Sequence, residues 1–226
     1  RDVLTSRGLV DVYKRQYLLS KVLLIAVETK EYNLLEYVSG AVKSMSEGEL
    51  LQIEKARKLD ITEEVYFEII QQKTASLLET CCVVGAASAG GSDEEIEKFR
   101  MLGRHLGLAF QIKDDLFDFE RVNLTGKPAG IDIKEQKMTL PLIKALQEAD
   151  LKQRQHIIKT IKKYHDRPKK VQEVVDFVRQ SGGLEYARSK MIEHINQAKE
   201  ILHNFPQTAE RDALALVLDY TAQRKK

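Results

Sequence analysis

Several residue types are scarce in this chain of 226 residues, and each scarcity argues against a class of protein. There are two cysteines, four prolines and no tryptophan. The cysteines are the adjacent Cys81 and Cys82, and neighbouring residues rarely form a disulfide. We therefore interpret both as small buried thiols in a reducing, cytoplasmic compartment, and we expect neither a disulfide-stabilised secreted scaffold nor a cysteine metal site.

The chain also lacks a strong excess of one charge and any long apolar run. Its net charge is +2 and its basic residues are spread along the sequence, although the region Lys159–Lys170 is locally rich in them. Overall charge therefore indicates neither nucleic-acid binding nor adsorption to a membrane. No apolar run approaches the length of a membrane span, and no signal peptide is visible. With 43% hydrophobic residues, the length allows one domain with a sizeable core.

The first sixteen residues look foreign to the rest of the chain. The segment Ser6–Gln16 closely resembles one reading frame of a transposase sequencing adapter, with a single mismatch at Val10. We predict that residues 1–16 are a non-native leader and that residues 17–226 are the C-terminal portion of a single domain, truncated before Tyr17. The alternative is an ordinary basic N-terminal tail.

From Tyr17 onward, apolar residues recur at a spacing of three to four, which predicts an all-α fold. Thr62 is followed by acidic residues and is a predicted helix cap, and Ser92 with Glu95 forms a predicted capping box. Gly48 falls within a predicted helix, where it costs about 1 kcal/mol against alanine unless another segment must approach closely.

The most unusual stretch is the apolar segment Gly107–Glu120, which contains Asp114, Asp115 and Asp118. At about 100° per residue the three carboxylates share one helix face, where like charges repel. Their apolar neighbours predict partial burial, which is costly for carboxylates unless cations neutralise them. Because oxygen ligands favour hard cations, we predict that these aspartates bind Mg²⁺. A solvated acidic helix face is the alternative.

Two lysines in the next segment could complete a site for a phosphate-bearing ligand. Residues 121–138 contain Gly126 and Gly130 and are predicted to form a loop. From this loop, Lys127 and Lys137 could reach back over the aspartates. Lysines beside a cation cluster are what a diphosphate site needs.

Five motifs, taken in this order, make the chain resemble the trans-type polyprenyl diphosphate synthases, and most closely the bacterial long-chain type that makes quinone side chains. The motifs are E-G-E-L-L-Q at Glu47–Gln52, Q-K-T-A at Gln72–Ala75, G-L-A-F-Q-I-K-D-D-L-F-D at Gly107–Asp118, G-K-P-A-G-I-D at Gly126–Asp132 and K-M-T-L-P-L-I at Lys137–Ile143. Each motif is weak alone, but their order and spacing are specific. The resemblance covers residues 17–226 and implies an isoprenoid synthase-type helical bundle around a central cavity, here without its N-terminal helices.

This resemblance implies a prenyltransferase that condenses isopentenyl diphosphate with an allylic diphosphate to make a polyprenyl diphosphate. In that family two aspartate-rich motifs hold about three Mg²⁺ ions on the allylic diphosphate. The allylic C–O bond ionises, isopentenyl diphosphate attacks the carbocation, and a proton passes to the leaving diphosphate. Asp114, Asp115 and Asp118 resemble the second of these motifs, with Asp114 as the most direct metal ligand.

The resemblance also implies roles for five other residues. Lys73, Lys127 and Lys137 resemble the residues that bind the substrate diphosphate. Lys73, Thr74 and Gln111 form the implied catalytic set, in which Thr74 and Gln111 face the allylic tail. The Thr74 hydroxyl would stabilise the carbocation.

The sequence departs from the family pattern in one large respect. The first aspartate motif, and the basic residues that hold isopentenyl diphosphate, would lie just upstream of Tyr17 and are missing. We therefore expect that the fragment carries half of the metal site and is inactive by itself. The family further implies a cytoplasmic homodimer that releases its product towards a membrane, while product chain length stays open.

Three alternatives remain at this point. The first is a non-catalytic helical regulatory subunit of a heteromeric prenyl synthase, against which the intact aspartate motif and the lysines argue. The second is a class I terpene cyclase, whose usual N/D-x-x-S/T-x-x-x-E motif is not seen around Asp114. The third is a plain helical scaffold with an acidic surface.

Overall fold

The computed structural model describes residues 2–56, 59–119 and 130–224, and within these ranges the chain is helical, with one π-helical turn and no β-strand. The elements are α1 Asp2–Glu28, α2 Tyr32–Ala56, α3 Glu63–Ile70, the π-helical turn Gln71–Ala75, α4 Ser76–Ser88, α5 Asp93–Phe117, α6 Ile131–Lys134, α7 Leu140–Glu148, α8 Leu151–Tyr164, α9 Pro168–Gln180, α10 Gly183–His203 and α11 Ala209–Gln223. The predicted all-α class is confirmed. No helix in the described ranges is long and apolar enough to cross a bilayer.

Both predicted helix caps are confirmed. At the start of α3 the Thr62 hydroxyl accepts a hydrogen bond from the backbone N–H of Val65. Ser92 and Glu95 form the reciprocal capping box of α5. A cap of this kind stabilises a helix by about 1 kcal/mol, so local sequence defines where these two helices begin. The expected burial of both cysteines is wrong, because Cys81 is exposed and Cys82 is only partly buried.

Helix α5 is the central element, packed between α4 and α10. Its apolar residues Leu102, Ile112 and Leu116 are almost completely buried. Full burial of one such side chain contributes about 1.5–3 kcal/mol, so α5 is held firmly in the bundle. The aspartates at its C-terminal end are therefore carried by a well-anchored helix.

Two glycines let neighbouring helices approach the π-helical turn closely. A methyl group at Gly107 of α5 would lie 2.5 Å from the Cα atom of Ala75, and one at Gly48 of α2 would lie 2.7 Å from the backbone nitrogen of Lys73. The close approach that Gly48 allows explains its tolerance within a helix. The turn that carries Lys73 and Thr74 is thus packed between the backbones of two helices, and π-helical turns frequently occur at functional sites.

The close contact at Gly107 predicts a large effect of a single added methyl group. Gly107→Ala should destabilise the protein by about 1–3 kcal/mol, because the Ala75 backbone cannot yield easily. Gly85→Ala in α4 is the matched control: a methyl group there meets nothing within 4 Å, and alanine is the better helix former by about 1 kcal/mol. Urea unfolding followed by circular dichroism measures both. Equal effects of the two substitutions would contradict the packing described.

A pair of histidines joins α5 to α10. The Nδ1 atoms of His105 and His194 are 3.1 Å apart, so one ring must donate and the other must accept. Burial lowers the pKa of both histidines. Arg104 lowers the pKa of His105 further and His105 lowers that of His194, while Glu193 acts in the opposite direction on both.

The histidine pair predicts a loss of stability in acid. Because both pKa values are lower in the folded protein, the unfolded chain binds more protons as the pH falls below 6.5. The stability advantage of the wild type over His105→Gln should therefore shrink between pH 8 and pH 5, as measured by urea unfolding. His203→Gln, at an exposed position on α10, controls for the loss of an imidazole. An advantage over His105→Gln that stays constant with pH would show this prediction wrong.

Candidate active site

Asp115 lies at the centre of a hydrogen-bond chain that links α3, α5 and the π-helical turn. The Tyr66 hydroxyl donates to Asp115 Oδ2 over 2.7 Å, and Gln111 Nε2 donates to Asp115 Oδ1 over 2.9 Å. The Thr74 hydroxyl donates to Gln111 Oε1 over 2.8 Å. The structure thus brings together three residues singled out in the sequence, Asp115, Gln111 and Thr74. Sequence reasoning gave Tyr66 no functional role, because an apolar helix face contains aromatic residues without any special purpose.

The three aspartates do not form one uniform carboxylate face. Asp115 is only 5% exposed, and both of its oxygens accept hydrogen bonds from the protein. The Asp114 side chain is 41% exposed and faces the C-terminal part of the chain. The expected common face is therefore only partly realised, since successive residues differ by about 100° around the helix.

Asp114 pairs with Arg224, the residue that follows α11. Arg224 Nη2 lies 2.5 Å from Asp114 Oδ1 and 3.0 Å from the carbonyl oxygen of Phe110. The guanidinium carbon is also 4.0 Å from the ring centre of Phe110 and 5.3 Å from that of Phe117. Such cation–π contacts contribute about 0.5–2 kcal/mol each. Sequence reasoning missed Arg224, which is 110 residues from Asp114 and belongs to none of the motifs.

Asp118 follows α5 and caps the short helix α6. Its carboxylate accepts hydrogen bonds from the backbone N–H groups of Ile131 and Asp132 at 2.8 and 3.1 Å. Its carbonyl oxygen accepts a hydrogen bond from Gly130, whose φ of 81° favours glycine. The predicted loop is therefore wrong over residues 131–134, because a carboxylate distant in sequence stabilises a helix N-terminus there.

Asp132 joins the three aspartates in an electrostatically coupled cluster. Desolvation raises the pKa of Asp114, Asp132, Asp115 and Asp118, reaching about 7 for Asp115 and about 6 for Asp118. Asp132 contributes to the raised pKa of both Asp115 and Asp118. Asp132 belongs to one of the sequence motifs, yet no spacing rule connected it with the aspartates of α5. The cluster has the raised pKa values that are common at functional sites.

The two described lysines of the expected diphosphate site lie in different surroundings. Lys137 Nζ is 3.4 Å from Asp132 Oδ1 and 2.5 Å from Glu135 Oε2. Burial alone would lower the pKa of Lys137, but these carboxylates outweigh it and raise the pKa. Lys73 Nζ instead contacts α2, at 2.5 Å from Glu49 Oε2 and 2.6 Å from Gln52 Oε1.

The third of these lysines, Lys127, lies outside the described residues. The prediction that Lys127 binds a diphosphate stays a prediction. The same is true of the proposed leader at residues 1–16, of which residues 2–16 form part of α1.

The chemistry of the cluster fits a hard divalent cation. Its donors are carboxylate oxygens held in desolvated surroundings, the ligand type that Mg²⁺ and Ca²⁺ prefer. In the described ranges no three His, Cys, Asp or Glu side chains are already arranged around one ion position. The reason is visible in the contacts: Asp115 and Asp118 accept hydrogen bonds from the protein, and Asp114 is paired with Arg224. Asp114 differs from Asp115 in having a half-exposed side chain, which contacts the guanidinium of Arg224.

The buried carboxylate of Asp115 predicts a specific pH dependence of stability. Its pKa is raised from 3.8 to about 7, so the folded protein holds a proton that the unfolded chain releases between these values. The resulting stability is lost as the pH rises through about 7. Asp115→Asn should therefore lose less stability than the wild type between pH 5 and pH 8, by roughly 3 kcal/mol. Urea unfolding at each pH measures the difference.

Asp166→Asn, at an exposed position between α8 and α9, controls for removal of one negative charge. It should keep the pH dependence of the wild type. If the stability of Asp115→Asn showed the same pH dependence as that of Asp166→Asn, a buried Asp115 carboxylate with a raised pKa would be contradicted.

Comparison with known proteins agrees with the resemblance noted in the sequence. The model of the family "Polyprenyl synthetase" matches residues 10–178. A short chain isoprenyl diphosphate synthase of Methanothermobacter thermautotrophicus is 38% identical over 189 residues, which cover 83% of this chain and 57% of that protein. The octaprenyl diphosphate synthase of Escherichia coli is 35% identical over 194 residues, covering 85% of this chain and 60% of that protein.

A solved structure shares the fold across nearly the whole chain. The polyprenyl synthase from Caulobacter crescentus CB15, complexed with calcium and isoprenyl diphosphate, superposes with a TM-score of 0.87 at 31% identity. The match covers 99% of this chain and 68% of that one. The chain spans less than two thirds of the length of the two curated relatives named above. With a matching family model over most of its length and relatives above 30% identity, the chain belongs to the polyprenyl synthetase family.

Proposed function

We propose that the chain serves a prenyl transfer reaction, in which isopentenyl diphosphate condenses with an allylic diphosphate to form a polyprenyl diphosphate. The observation that carries the proposal is the desolvated cluster of Asp114, Asp115, Asp118 and Asp132, which adjoins the Asp115–Gln111–Thr74 hydrogen-bond chain. Carboxylates in this state favour a divalent cation, and a divalent cation favours a diphosphate. The related Caulobacter synthase was solved with calcium, a divalent cation of the kind that this donor set suits, and with isoprenyl diphosphate, which such a cation can bind.

In this proposal Asp114 is the most direct metal ligand. Its side chain is half-exposed. Its carboxylate is paired with the guanidinium of Arg224, a cation that contacts the oxygen a metal ion would bind. Bound Mg²⁺, about three ions in a complete site, would act as a Lewis acid on the diphosphate leaving group. Asp115 and Asp118 are the other proposed ligands. An ionised carboxylate has about four acceptor positions, so each can bind an ion directly or through a water while it keeps its hydrogen bonds to the protein.

The lysines would bind the diphosphate oxygens from the other side. Glu135 and Asp132 raise the pKa of Lys137. Lys73 is held by Glu49 and Gln52 in a turn that packs against α5. Each ammonium would exchange carboxylate contacts for phosphate oxygens when the substrate binds. Lys127 completes the proposed set.

Thr74 and Gln111 would face the allylic tail. The Thr74 hydroxyl donates a hydrogen bond to Gln111 Oε1, so the lone pairs of its oxygen are directed to other groups. An oxygen placed in this way stabilises positive charge that develops when the allylic C–O bond ionises. In this proposal Thr74 stabilises the carbocation, while the lysines bind the diphosphate leaving group.

We also propose that a second copy of the chain covers α1. This helix carries several large apolar side chains in the open, including Tyr17 and Leu18, each 62% exposed, and Ile25 at 57%. A row of exposed apolar residues of this kind marks an interaction surface more often than a free one.

In this proposal the enzyme is cytoplasmic, and its hydrophobic polyprenyl product would leave towards a membrane.

The proposed function predicts that Mg²⁺ and inorganic pyrophosphate together stabilise the 226-residue chain. At a ligand concentration about 100 times the dissociation constant, binding adds about 2.7 kcal/mol and should raise the melting temperature by roughly 5–10 °C. Asp114→Ala should abolish the shift, because the most direct ligand is gone. Differential scanning calorimetry with each ligand alone and with both measures the effect.

Asp166→Ala is the matched control, since it removes an exposed aspartate outside the cluster. It should show the full shift. Absence of a shift in the wild type, or an equal shift in Asp114→Ala, would refute the proposed site.

A further inference from the structure

Tyr66 occupies a buried position from which its hydroxyl reaches the carboxylate of Asp115. Its residue is 3% exposed and its ring makes an edge contact with Phe67, with ring centres 5.4 Å apart. The hydroxyl donates to Asp115 Oδ2 over 2.7 Å. An ionised carboxylate only accepts hydrogen bonds, so the phenol is the donor when Asp115 is ionised, which is the state that a neighbouring cation favours.

Tyr66 holds the Asp115 carboxylate in place, and the carboxylate determines the direction of the remaining hydrogen bonds. A carboxylate accepts hydrogen bonds, and the Gln111 amide meets Asp115 through its nitrogen. The amide oxygen of Gln111 is therefore turned towards Thr74, and the Thr74 hydroxyl must donate to it. If the amide were reversed, Thr74 would accept a hydrogen bond from Gln111 and would direct its proton outward.

Solvent exposure increases along the hydrogen-bond chain from Tyr66 to Thr74. Tyr66 and Asp115 are buried, whereas Gln111 and Thr74 are partly exposed. A ligand at the exposed end therefore meets Thr74 and Gln111 but not Tyr66. Any influence of Tyr66 on that ligand must pass through the two hydrogen bonds between them.

We propose that Tyr66 is a positioning residue that holds Asp115 and thereby orients Gln111, so that Thr74 Oγ1 presents its lone pairs to a cationic carbon. This inference rests on the proposed function, because it assumes that a carbocation forms next to Thr74. Tyr66 touches neither the substrate nor the metal in this scheme. Tyr66 affects the donor–acceptor direction of the hydrogen-bond chain and not the affinity for the diphosphate.

The test uses isothermal titration calorimetry on the full 226-residue chain with saturating Mg²⁺ and inorganic pyrophosphate. The probe is a trialkylammonium ion with a geranyl chain, which mimics the allylic cation, and its uncharged carbon analogue is the comparison ligand. Tyr66→Phe should weaken binding of the ammonium ion roughly tenfold, because a charge-directed contact is lost. Binding of pyrophosphate and of the uncharged analogue should stay within about twofold of the wild type.

Three further variants separate positioning from packing. Tyr186→Phe is the matched control, since Tyr186 also donates to a carboxylate, that of Glu63, over 2.7 Å; it should leave all affinities unchanged. Thr74→Val should reproduce the selective loss, and Thr74→Ser should restore binding of the ammonium ion. A loss in Tyr66→Phe that is equal for charged and uncharged ligands, or no loss at all, would overturn the proposal.

A measurement on the free protein keeps this inference distinguishable from the proposed function. In the wild type the side-chain amide protons of Gln111 should exchange slowly with solvent, as observed by NMR. Tyr66→Phe should speed their exchange roughly tenfold, as expected for the loss of about 1.4 kcal/mol of local protection, and Tyr186→Phe should not. Unchanged exchange overturns the positioning role even if all ligands bind, whereas a wild type that binds no pyrophosphate refutes the proposed function.

Discussion

The close approach of α5 to the π-helical turn is the constraint on which the candidate site depends. Gly107 has no side chain, and the Ala75 backbone occupies the space that a methyl group would need. Gln111 lies one helical turn after Gly107, and Thr74 lies directly before Ala75. Contact of the two backbones therefore places Gln111 Oε1 within 2.8 Å of the Thr74 hydroxyl. On the opposite side, Gly48 allows α2 to press equally closely on the turn.

Three aspartates at the C-terminal end of α5, the last of them directly after the helix, lie in three different environments. Asp115 is buried against Tyr66, Asp118 caps a helix, and Asp114 faces the guanidinium of Arg224. Desolvation raises the pKa of each. The folded protein thus maintains carboxylates that are unfavourable without a cation, which is the usual relation between a binding site and stability. The Asp114 side chain is half-exposed, whereas Asp115 is buried.

Arg224 gives the cluster a cation of its own from the far end of the chain. Its guanidinium lies against Phe110 and is 10% exposed, so it is a fixed part of the site and not a mobile surface charge. Under the proposed function, an incoming metal ion would have to compete with Arg224 for Asp114.

Much of the fold was predictable from local pattern. Thr62 and Ser92 cap helices because a side-chain oxygen near free backbone N–H groups is sufficient for that purpose, and the apolar spacing indicated helices throughout. The short helix α6 was not predictable, because the carboxylate that caps it belongs to Asp118, distant in sequence. The exposure of Cys81 was also not predictable, because burial depends on which face of α4 packs against a neighbouring helix.

For the site, the sequence by itself determined the residue types and their order: the aspartates, the lysines and the Q-K-T-A motif, which were enough to indicate carboxylate–cation–diphosphate chemistry. Only the tertiary structure decided which of these residues meet. It joined Tyr66 to Asp115, brought Asp132 into the cluster and paired Asp114 with Arg224. The physical reason is that periodicity and capping act over one helical turn, whereas these contacts join residues from separate helices, whose relative positions depend on packing.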